Sequence, residues 1–286
     1  MKILIISDDR LGHINQSLGI AKCLKDKYKI DHEIRRPFKL LDYNNLTFSK
    51  TDYLFVLGAG HATHLSLLFL RYISRQKVVC LMKPSFPLSM FDLVIAPEHD
   101  GISEKANVVL TKGVPNLAEK KEKIPNTGVI LIGGPSKSND WPEASVFEQI
   151  MEITKDDSLD WRLFDSPRTP NGTREILHKQ FKDKYLPMTE LSQGELSEYL
   201  ATSEKCWVTE DSASMLYEAL TAGCQTGVIS VNACEENKVI KGVRQLINDG
   251  IVAKYPDVSF SNTRNCRVAF NEAERCADIL FERFCC

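Results

Sequence analysis

The chain has 286 residues, 43% hydrophobic and 26% charged, which is typical of a globular protein with two domains of ordinary size. A net charge of −2 and the lack of a basic tail argue against nucleic acid as a partner. No stretch approaches the roughly 20 apolar residues of a membrane span. The nine cysteines are scattered without Cys-x-x-Cys pairs, which favours reduced thiols and a cytoplasmic location.

Strand and helix patterns alternate through the first half of the chain, and this alternation is typical of parallel sheets covered by helices. Apolar runs predict at least five strands, and apolar spacing predicts helices between them. The predicted strands are 2–7, 53–58, 78–82, 92–96 and 107–111, with helices over 15–25 and 62–73. Residues 115–126 are charged and flanked by prolines, which indicates a linker.

The same alternation restarts after the linker. Strands are predicted at 128–134, 161–166, 185–188, 206–209 and 225–231, with helices at 144–154, from 173, near 195–201, after 212, and at 239–248. A last helix over 272–284 carries an apolar stripe, so we expect it to pack back on the body of the protein. We therefore predict two doubly wound, Rossmann-like α/β domains, 1–120 and 121–270, followed by this helix in 271–286.

Polar residues follow several strands of the first half, at the sheet edge where parallel strands end. Gly12 permits a tight turn, and His13 is expected just before the first helix, where it could act as a base. His61 and His64 have a spacing that could hold a metal, but no third ligand lies at fitting range. Glu98 and Asp100 follow another strand, and four converging loops favour a site at this edge.

Two loops of the second half could bind an anion. The turn at 132–141 contains Gly133, Gly134, Ser136 and Lys137, but its spacing matches neither a Walker loop nor the dinucleotide-binding glycine motif. Arg168 lies between two prolines and could donate to a phosphate through both ends of its guanidinium. A surface arginine in a rigid turn is an equally good interpretation of Arg168.

The helix after the strand at 206–209 has the strongest pattern in the chain. Asp211, Ser212 and Ser214 lie at its N-terminus, where free backbone N–H groups and the helix dipole favour an anion. By the i, i+3, i+7 rule Glu218 shares a face with Asp211 and Ser214, and its carboxylate suits the hydroxyls of a ribose. A well-capped helix with a solvated glutamate remains the alternative, although Glu218 lies one residue too far from Ser214 for a capping box.

Five ordered segments together resemble one known family. LGHINQSLGIA, FDLVIAPEHDG, LIGGPSKSNDW, SPRTP and TEDSASMLYEALTAG are similar to blocks of the ELM-type mitochondrial-fission family, which is widespread in bacteria and is also found in plants. That family in turn resembles glycosyltransferases of the GT-B fold. The resemblance implies two Rossmann-like domains facing across a cleft, with the acceptor on the N-terminal domain and the nucleotide sugar on the C-terminal one.

The resemblance and the loop patterns described above together imply roles for individual residues. The catalytic set comprises His13 and Glu210; the donor set comprises Gly133, Gly134, Ser136, Lys137, Arg168, Asp211, Ser212, Ser214 and Glu218; and the acceptor set comprises Gly12, Asn15, His61, Glu98 and Asp100. No metal and no cofactor beyond the donor nucleotide sugar is expected. Glu210 and Glu218 resemble the E-x7-E pair of retaining GT-B enzymes, whereas His13 resembles the base of inverting ones. We favour inversion.

The implied activity is transfer of a sugar from a nucleotide-sugar donor to a glycan or lipid-linked acceptor in envelope glycan synthesis. Such an enzyme would be cytoplasmic, with peripheral contact to the inner membrane. A nucleotide-sugar epimerase or hydrolase of the same fold is one alternative, supported by the acidic residues Glu98, Asp100 and Glu210. A non-enzymatic scaffold in membrane remodelling is the other.

Overall fold

The computed structural model describes residues 1–38, 53–136, 140–192, 194–231, 238–260 and 270–286, except for the side chains of 238 and 239. The chain divides into two compact units. The first comprises Met1–Leu117 with Asn271–Cys286, and the second comprises Ala118–Phe270. Among the described residues, no helix combines the length and the apolar character needed to cross a bilayer.

The described part of the first unit contains a six-stranded parallel sheet in the order β2-β1-β3-β4-β5-β6. The strands are β1 (Lys2–Ile6), β2 (Asp31–Arg35), β3 (Val56–Ala59), β4 (Val78–Leu81), β5 (Leu93–Pro97) and β6 (Val108–Thr111). The helices are α1 (Leu11–Tyr28) and α2 (His64–Tyr72), with α8 (Glu272–Phe284) from the end of the chain. Helices on both faces explain why the central strands are continuous apolar runs.

Alternation along β1 separates two cores in this unit. Ile3 and Ile5 face the core beneath α1 and α8, whereas Leu4 and Ile6 face the core beneath α2. The predicted apolar stripe of the last helix is buried on the first of these cores: Ala273, Cys276, Ala277 and Leu280. Helix α8 lies along α1, where Tyr28 and Phe281 stack with ring centroids 3.8 Å apart and Lys27 pairs with Asp278 at 2.7 Å.

The second unit has a parallel sheet in the order β12-β11-β10-β7-β8-β9. Its strands are β7 (Ile124–Leu131), β8 (Asp160–Phe164), β9 (Tyr185–Leu186), β10 (Ser203–Thr209), β11 (Gln225–Ile229) and β12 (Ala253–Lys254). Its helices are α3 (Glu143–Ile153), α4 (Asn171–Phe181), α5 (Glu195–Thr202), α6 (Ala213–Thr221) and α7 (Lys238–Asn248). Counted from β7, this is the 3-2-1-4-5-6 order of dinucleotide-binding sheets, and the order reverses between β7 and β10.

The predicted fold class is confirmed, with differences at particular elements. β2 and the two-residue β12 were not predicted, because β2 is polar and β12 is too short to show a period. β7 begins at Ile124, inside the predicted linker, because its first residues form an exposed extension of the buried strand. Helix α1 begins at Leu11 rather than Asn15, so Gly12, His13 and Asn15 are helical, and the expectation that His13 precedes the helix is wrong.

Candidate functional site

Three loops of the second unit meet where its strand order reverses. Because β10, β7 and β8 are adjacent, the loops after their carboxyl ends are neighbours. The first contains Gly133 and Gly134, the second Arg168 and Thr169, and the third Asp211 and Ser212. Open parallel sheets bind ligands at this position.

A buried carboxylate joins the three loops. The side chain of Asp211 is fully buried, and its Oδ2 accepts hydrogen bonds from the Gly134 N–H at 3.1 Å and from Arg168 Nη2 at 2.7 Å. Arg168 Nη1 also donates to the Gly134 carbonyl at 2.9 Å. The guanidinium of Arg168 is therefore not wholly available to bind a phosphate in the way that the sequence suggested, because Nη1 and Nη2 contact the two neighbouring loops.

The glycine loop is shaped by packing. Gly133 N–H donates to Thr209 Oγ1 at 2.8 Å, and Gly134 N–H is held by Asp211, so neither amide is free to bind a phosphate. An anion site in this turn would therefore have to use donors other than these two amides. Both positions need glycine because the neighbouring loops approach the backbone closely. A Cβ on Gly133 would lie 2.2 Å from Asp211 Oδ2, and a Cβ on Gly134 would lie 2.1 Å from the Arg168 carbonyl oxygen.

Gly134→Ala should therefore destabilise the second unit. The added methyl meets a backbone oxygen that cannot rotate away, and such overpacking costs about 1–3 kcal/mol. Denaturant unfolding of the full chain would measure the loss. Gly12→Ala is the matched control, because a Cβ on that glycine has no neighbour within 4 Å. Equal stability of the two variants would contradict this account of the loop.

The N-terminus of α6 provides free amide donors in the second unit. Ser212 is its N-cap and is buried, but the Ser212 side chain makes no capping hydrogen bond. Within the described residues, the N–H groups of Ala213, Ser214 and Met215 have no acceptor, and Ser214 is exposed. These amides and the positive end of the helix dipole are suited to bind a phosphate.

Glu218 lies one turn further along α6. It is half-buried, its carboxylate has no hydrogen-bond partner among the described residues, and burial raises its pKa to about 7. Asp211 precedes the helix, so only Ser214 and Glu218 of the three residues predicted to share a face do so. A desolvated carboxyl group without a partner destabilises the free protein, which favours a role in binding a ligand.

The remaining donor-side residues lie around these loops. Glu210 is only 6% exposed, and its side chain has no hydrogen-bond partner in the part of the chain that the structure describes. Its backbone N–H donates to the Ile229 carbonyl, so Glu210 begins the same turn as Asp211. Ser136 is exposed at the edge of the described range. Lys137 lies outside the described residues.

The first unit contains a histidine–carboxylate pair at the carboxyl edge of its sheet. His13 Nδ1 lies 3.1 Å and 3.0 Å from the two carboxylate oxygens of Asp8, which precedes α1. Both side chains are largely buried, at 20% and 9% exposed. With Asp8 accepting from Nδ1–H, the tautomer is fixed and Nε2 is left as the basic nitrogen. This is how a general base is oriented.

Sequence reasoning missed Asp8 and the role of Gly60. Gly60 follows β3 with φ of 89°, and a Cβ there would lie 2.3 Å from His13 Nδ1 and 3.2 Å from Asp8 Oδ2. The pair thus packs against the backbone of the neighbouring strand's turn. The sequence does place Asp8 two residues after β1 and five residues before His13. That spacing alone does not indicate that the two side chains are in contact.

Hydrogen bonds join further predicted residues to the loops at this edge. His61 is exposed and its Nδ1 lies 2.5 Å from Ser85 Oγ, while Asp100 accepts from the backbone N–H of Lys83 at 3.2 Å. Glu98 and Gly12 are exposed, and Asn15 is half-buried on α1. His64 is instead buried beside Phe86 and Phe91, and burial lowers its pKa. Within the described ranges, no group of three His, Cys, Asp or Glu side chains could hold a metal ion.

Comparison with solved structures supports the fold. A protein of Listeria monocytogenes assigned as a UDP-N-acetylglucosamine 2-epimerase is 14% identical with a TM-score of 0.57, covering 99% of this chain and 88% of its own. UDP-GlcNAc 2-epimerase from Neisseria meningitidis, bound to UDP-GlcNAc, is 12% identical with a TM-score of 0.52, covering 99% of each chain. The glycotransferase of kitacinnamycin is 10% identical with a TM-score of 0.51, covering 98% of each chain. At these identities the likeness establishes a GT-B-like fold.

Sequence comparison identifies the family. An uncharacterised protein of Rickettsia prowazekii is 29% identical over 115 residues, which is 35% of this chain and 32% of that protein. Residues 11–284 match the family described as Mitochondrial fission ELM1, which covers both units and the last helix. The chain belongs to the Mitochondrial fission ELM1 family.

Proposed function

We propose that this protein is a glycosyltransferase that moves a sugar from a nucleotide-sugar donor to a glycan or lipid-linked acceptor. The observation that carries the proposal is the Asp8–His13 pair, a base with its orienting carboxylate at the ligand-binding edge of the first sheet. Transfer to a hydroxyl needs such a base, whereas a scaffold has no use for one.

In the proposed mechanism, the two units divide the work. His13 Nε2 removes the proton from the acceptor hydroxyl as this hydroxyl attacks the anomeric carbon, and Asp8 stabilises the imidazolium that forms. The departing nucleoside diphosphate gains negative charge, which the free amides and dipole of α6 stabilise. Glu218 accepts hydrogen bonds from the ribose hydroxyls. A single displacement of this kind inverts the anomeric centre.

A panel of UDP-, GDP-, CMP- and dTDP-sugars tests this function. Without an acceptor, a transferase should be stabilised thermally by one donor class and turn it over slowly. With candidate glycan or lipid-linked acceptors, the same donor should be consumed and a glycosylated product should form. No stabilisation by any member of the panel would contradict the proposal and favour a scaffold.

A nucleotide-sugar epimerase or hydrolase is the second candidate. The observation that favours it is Glu210, a buried carboxylate without a partner among the described residues, beside the loops of the second unit. A carboxylate kept unpaired in this way can move a proton on and off a sugar carbon or activate water. Rapid epimerisation or hydrolysis of the donor without any acceptor would favour this activity over transfer.

We predict that turnover does not depend on divalent ions. The free amides and dipole of α6 stabilise the diphosphate leaving group without a metal ion. Rates in EDTA and in added Mg²⁺ should agree within about twofold. Loss of turnover in EDTA that is restored by Mg²⁺ or Mn²⁺ would show that a metal ion supports the leaving group.

We also propose a cytoplasmic location with peripheral contact to the inner membrane, because a lipid-linked acceptor would present its head group there. Fractionation of cells, with a salt wash of the membranes, would test this location.

A further inference from the structure

The outer side of α2 is apolar, although the structure leaves it exposed. Leu65 is 56% exposed, Tyr72 54% and Ile73 68%. They follow i, i+7 and i+8 spacing, which places three apolar side chains within a sector of about 100°. We call Leu65, Tyr72 and Ile73 the outer stripe.

The opposite side of the same helix is also apolar. It is buried in the core of the first unit: Leu67, Leu68 and Leu70. The helix therefore carries large apolar side chains on its outer side as well as on its buried side, a pattern typical of helices covered by a partner or by lipid on their outer face. An ordinary surface helix would carry charged residues where the outer stripe lies.

Cations cluster where the outer stripe ends. Arg71 Nε and Lys77 Nζ lie 3.6 Å and 3.7 Å from the carboxylate of Asp92, and they share that single charge. Arg75 is exposed and has no ion-pair partner among the described residues. Arg71, Arg75 and Lys77 together carry three positive charges, and Asp92 carries one negative charge. The net charge of this group beside the outer stripe is therefore +2. Apolar surface edged by cations matches the chemistry of an anionic bilayer.

We propose that the outer stripe with Arg71, Arg75 and Lys77 is a docking surface for an anionic lipid bilayer. The stripe enters the boundary between head groups and acyl chains while the cations contact lipid phosphates. A second copy of the chain fits this surface less well, because a two-fold contact would bring like charges together. The proposal rests on the proposed function in that a lipid-linked acceptor is reached from the bilayer surface.

Sedimentation with lipid vesicles tests the docking surface in the full chain. The protein should bind vesicles of equal phosphatidylglycerol and phosphatidylcholine more tightly than phosphatidylcholine alone. Tyr72→Ser with Ile73→Ser should weaken this binding at least about tenfold, because it removes two large apolar groups from the stripe. Arg75→Gln with Lys77→Gln should weaken it about 25-fold, at about fivefold for each cation near an anionic surface.

Matched controls come from the second unit. Met151→Ser removes an apolar side chain that is 45% exposed on α3, and Lys179→Gln removes an exposed cation on α4. Both controls should bind vesicles as the parent does. Thermal unfolding of each variant verifies folding, and nucleotide-sugar binding measured on the same samples separates failure of the docking surface from failure of the proposed function.

Three results would overturn the proposal. The first is equal binding to anionic and neutral vesicles, and the second is parental binding by both double variants. The third is a dimer, detected by light scattering, that Tyr72→Ser with Ile73→Ser dissociates, because a second copy would then cover the stripe.

Discussion

His13→Ala is expected to lower turnover about 10²–10⁴-fold, the usual contribution of a general base. Nucleotide affinity should remain nearly unchanged, because the proposed role of His13 concerns the acceptor hydroxyl and not the donor. Ser212→Ala instead removes a hydroxyl at the N-terminus of α6 that could donate to the phosphates, and it should weaken nucleotide binding. Calorimetry and single-turnover rates on each variant give the two quantities separately.

Asp8→Asn tests the proposed base more selectively than His13→Ala, because it leaves the imidazole in place. The amide keeps the size of the carboxylate but no longer stabilises an imidazolium, so the single-turnover rate should fall with nucleotide affinity intact. Asp9→Asn is the matched control, because Asp9 is exposed and contacts Arg36 rather than His13. Loss of nucleotide binding in His13→Ala, or turnover at the parental rate, would mean that His13 is not the base.

Glu218→Ala should weaken nucleotide binding by about 1.5–3 kcal/mol, the contribution of a hydrogen bond to a charged group. This binding should also depend on pH. Burial raises the pKa of Glu218 to about 7, so below that pH the free protein carries a neutral carboxyl. Ribose hydroxyls donate best to the ionised form, so binding should release a proton and affinity should fall as pH drops below about 7.

Calorimetry in two buffers of different ionisation enthalpy measures the released proton. In Glu218→Gln the proton release should disappear and affinity should no longer depend on pH in this range.

The same substitution should weaken nucleotide binding but raise the free energy of unfolding at high pH. The parental carboxylate is desolvated when ionised, so its destabilising effect appears as pH rises from 4.5 through about 7, and Glu218→Gln should be more stable than the parent above that pH. Unchanged affinity in a folded Glu218→Ala protein would exclude the ribose contact.

The sequence predicted the two sheets well because their strands are buried on both faces. β1 and β5 are continuous apolar runs, and such runs have few alternative structures. The last helix was equally clear, since its stripe repeats at helical spacing over thirteen residues. Polar β2 and two-residue β12 show no such pattern, so they could be found only through their sheet partners.

The site was harder to predict because a single sequence does not show which polar groups pair with one another. Arg168 and Asp211 each have the chemistry of a ligand contact, yet Arg168 Nη2 and Asp211 Oδ2 pair with each other at 2.7 Å. Gly133 and Gly134 match an anion loop in composition, but their amides are bonded to Thr209 and Asp211. The spacing indicated only that Glu218 does not complete a capping box, and in the structure its carboxylate has no hydrogen-bond partner among the described residues. Its raised pKa depends on burial, which spacing does not reveal.

The return of α8 to the first unit determines the order in which the molecule can be completed. The second unit is one continuous segment, Ala118–Phe270, whereas the first unit needs residues from both ends of the chain. The bond between Lys27 and Asp278 spans 251 positions. During synthesis the second unit can therefore fold while α1 still exposes the apolar side that α8 will cover. The unit whose strands are translated first is thus completed only after Glu272–Phe284 has been translated, and until then the core that α8 covers stays open.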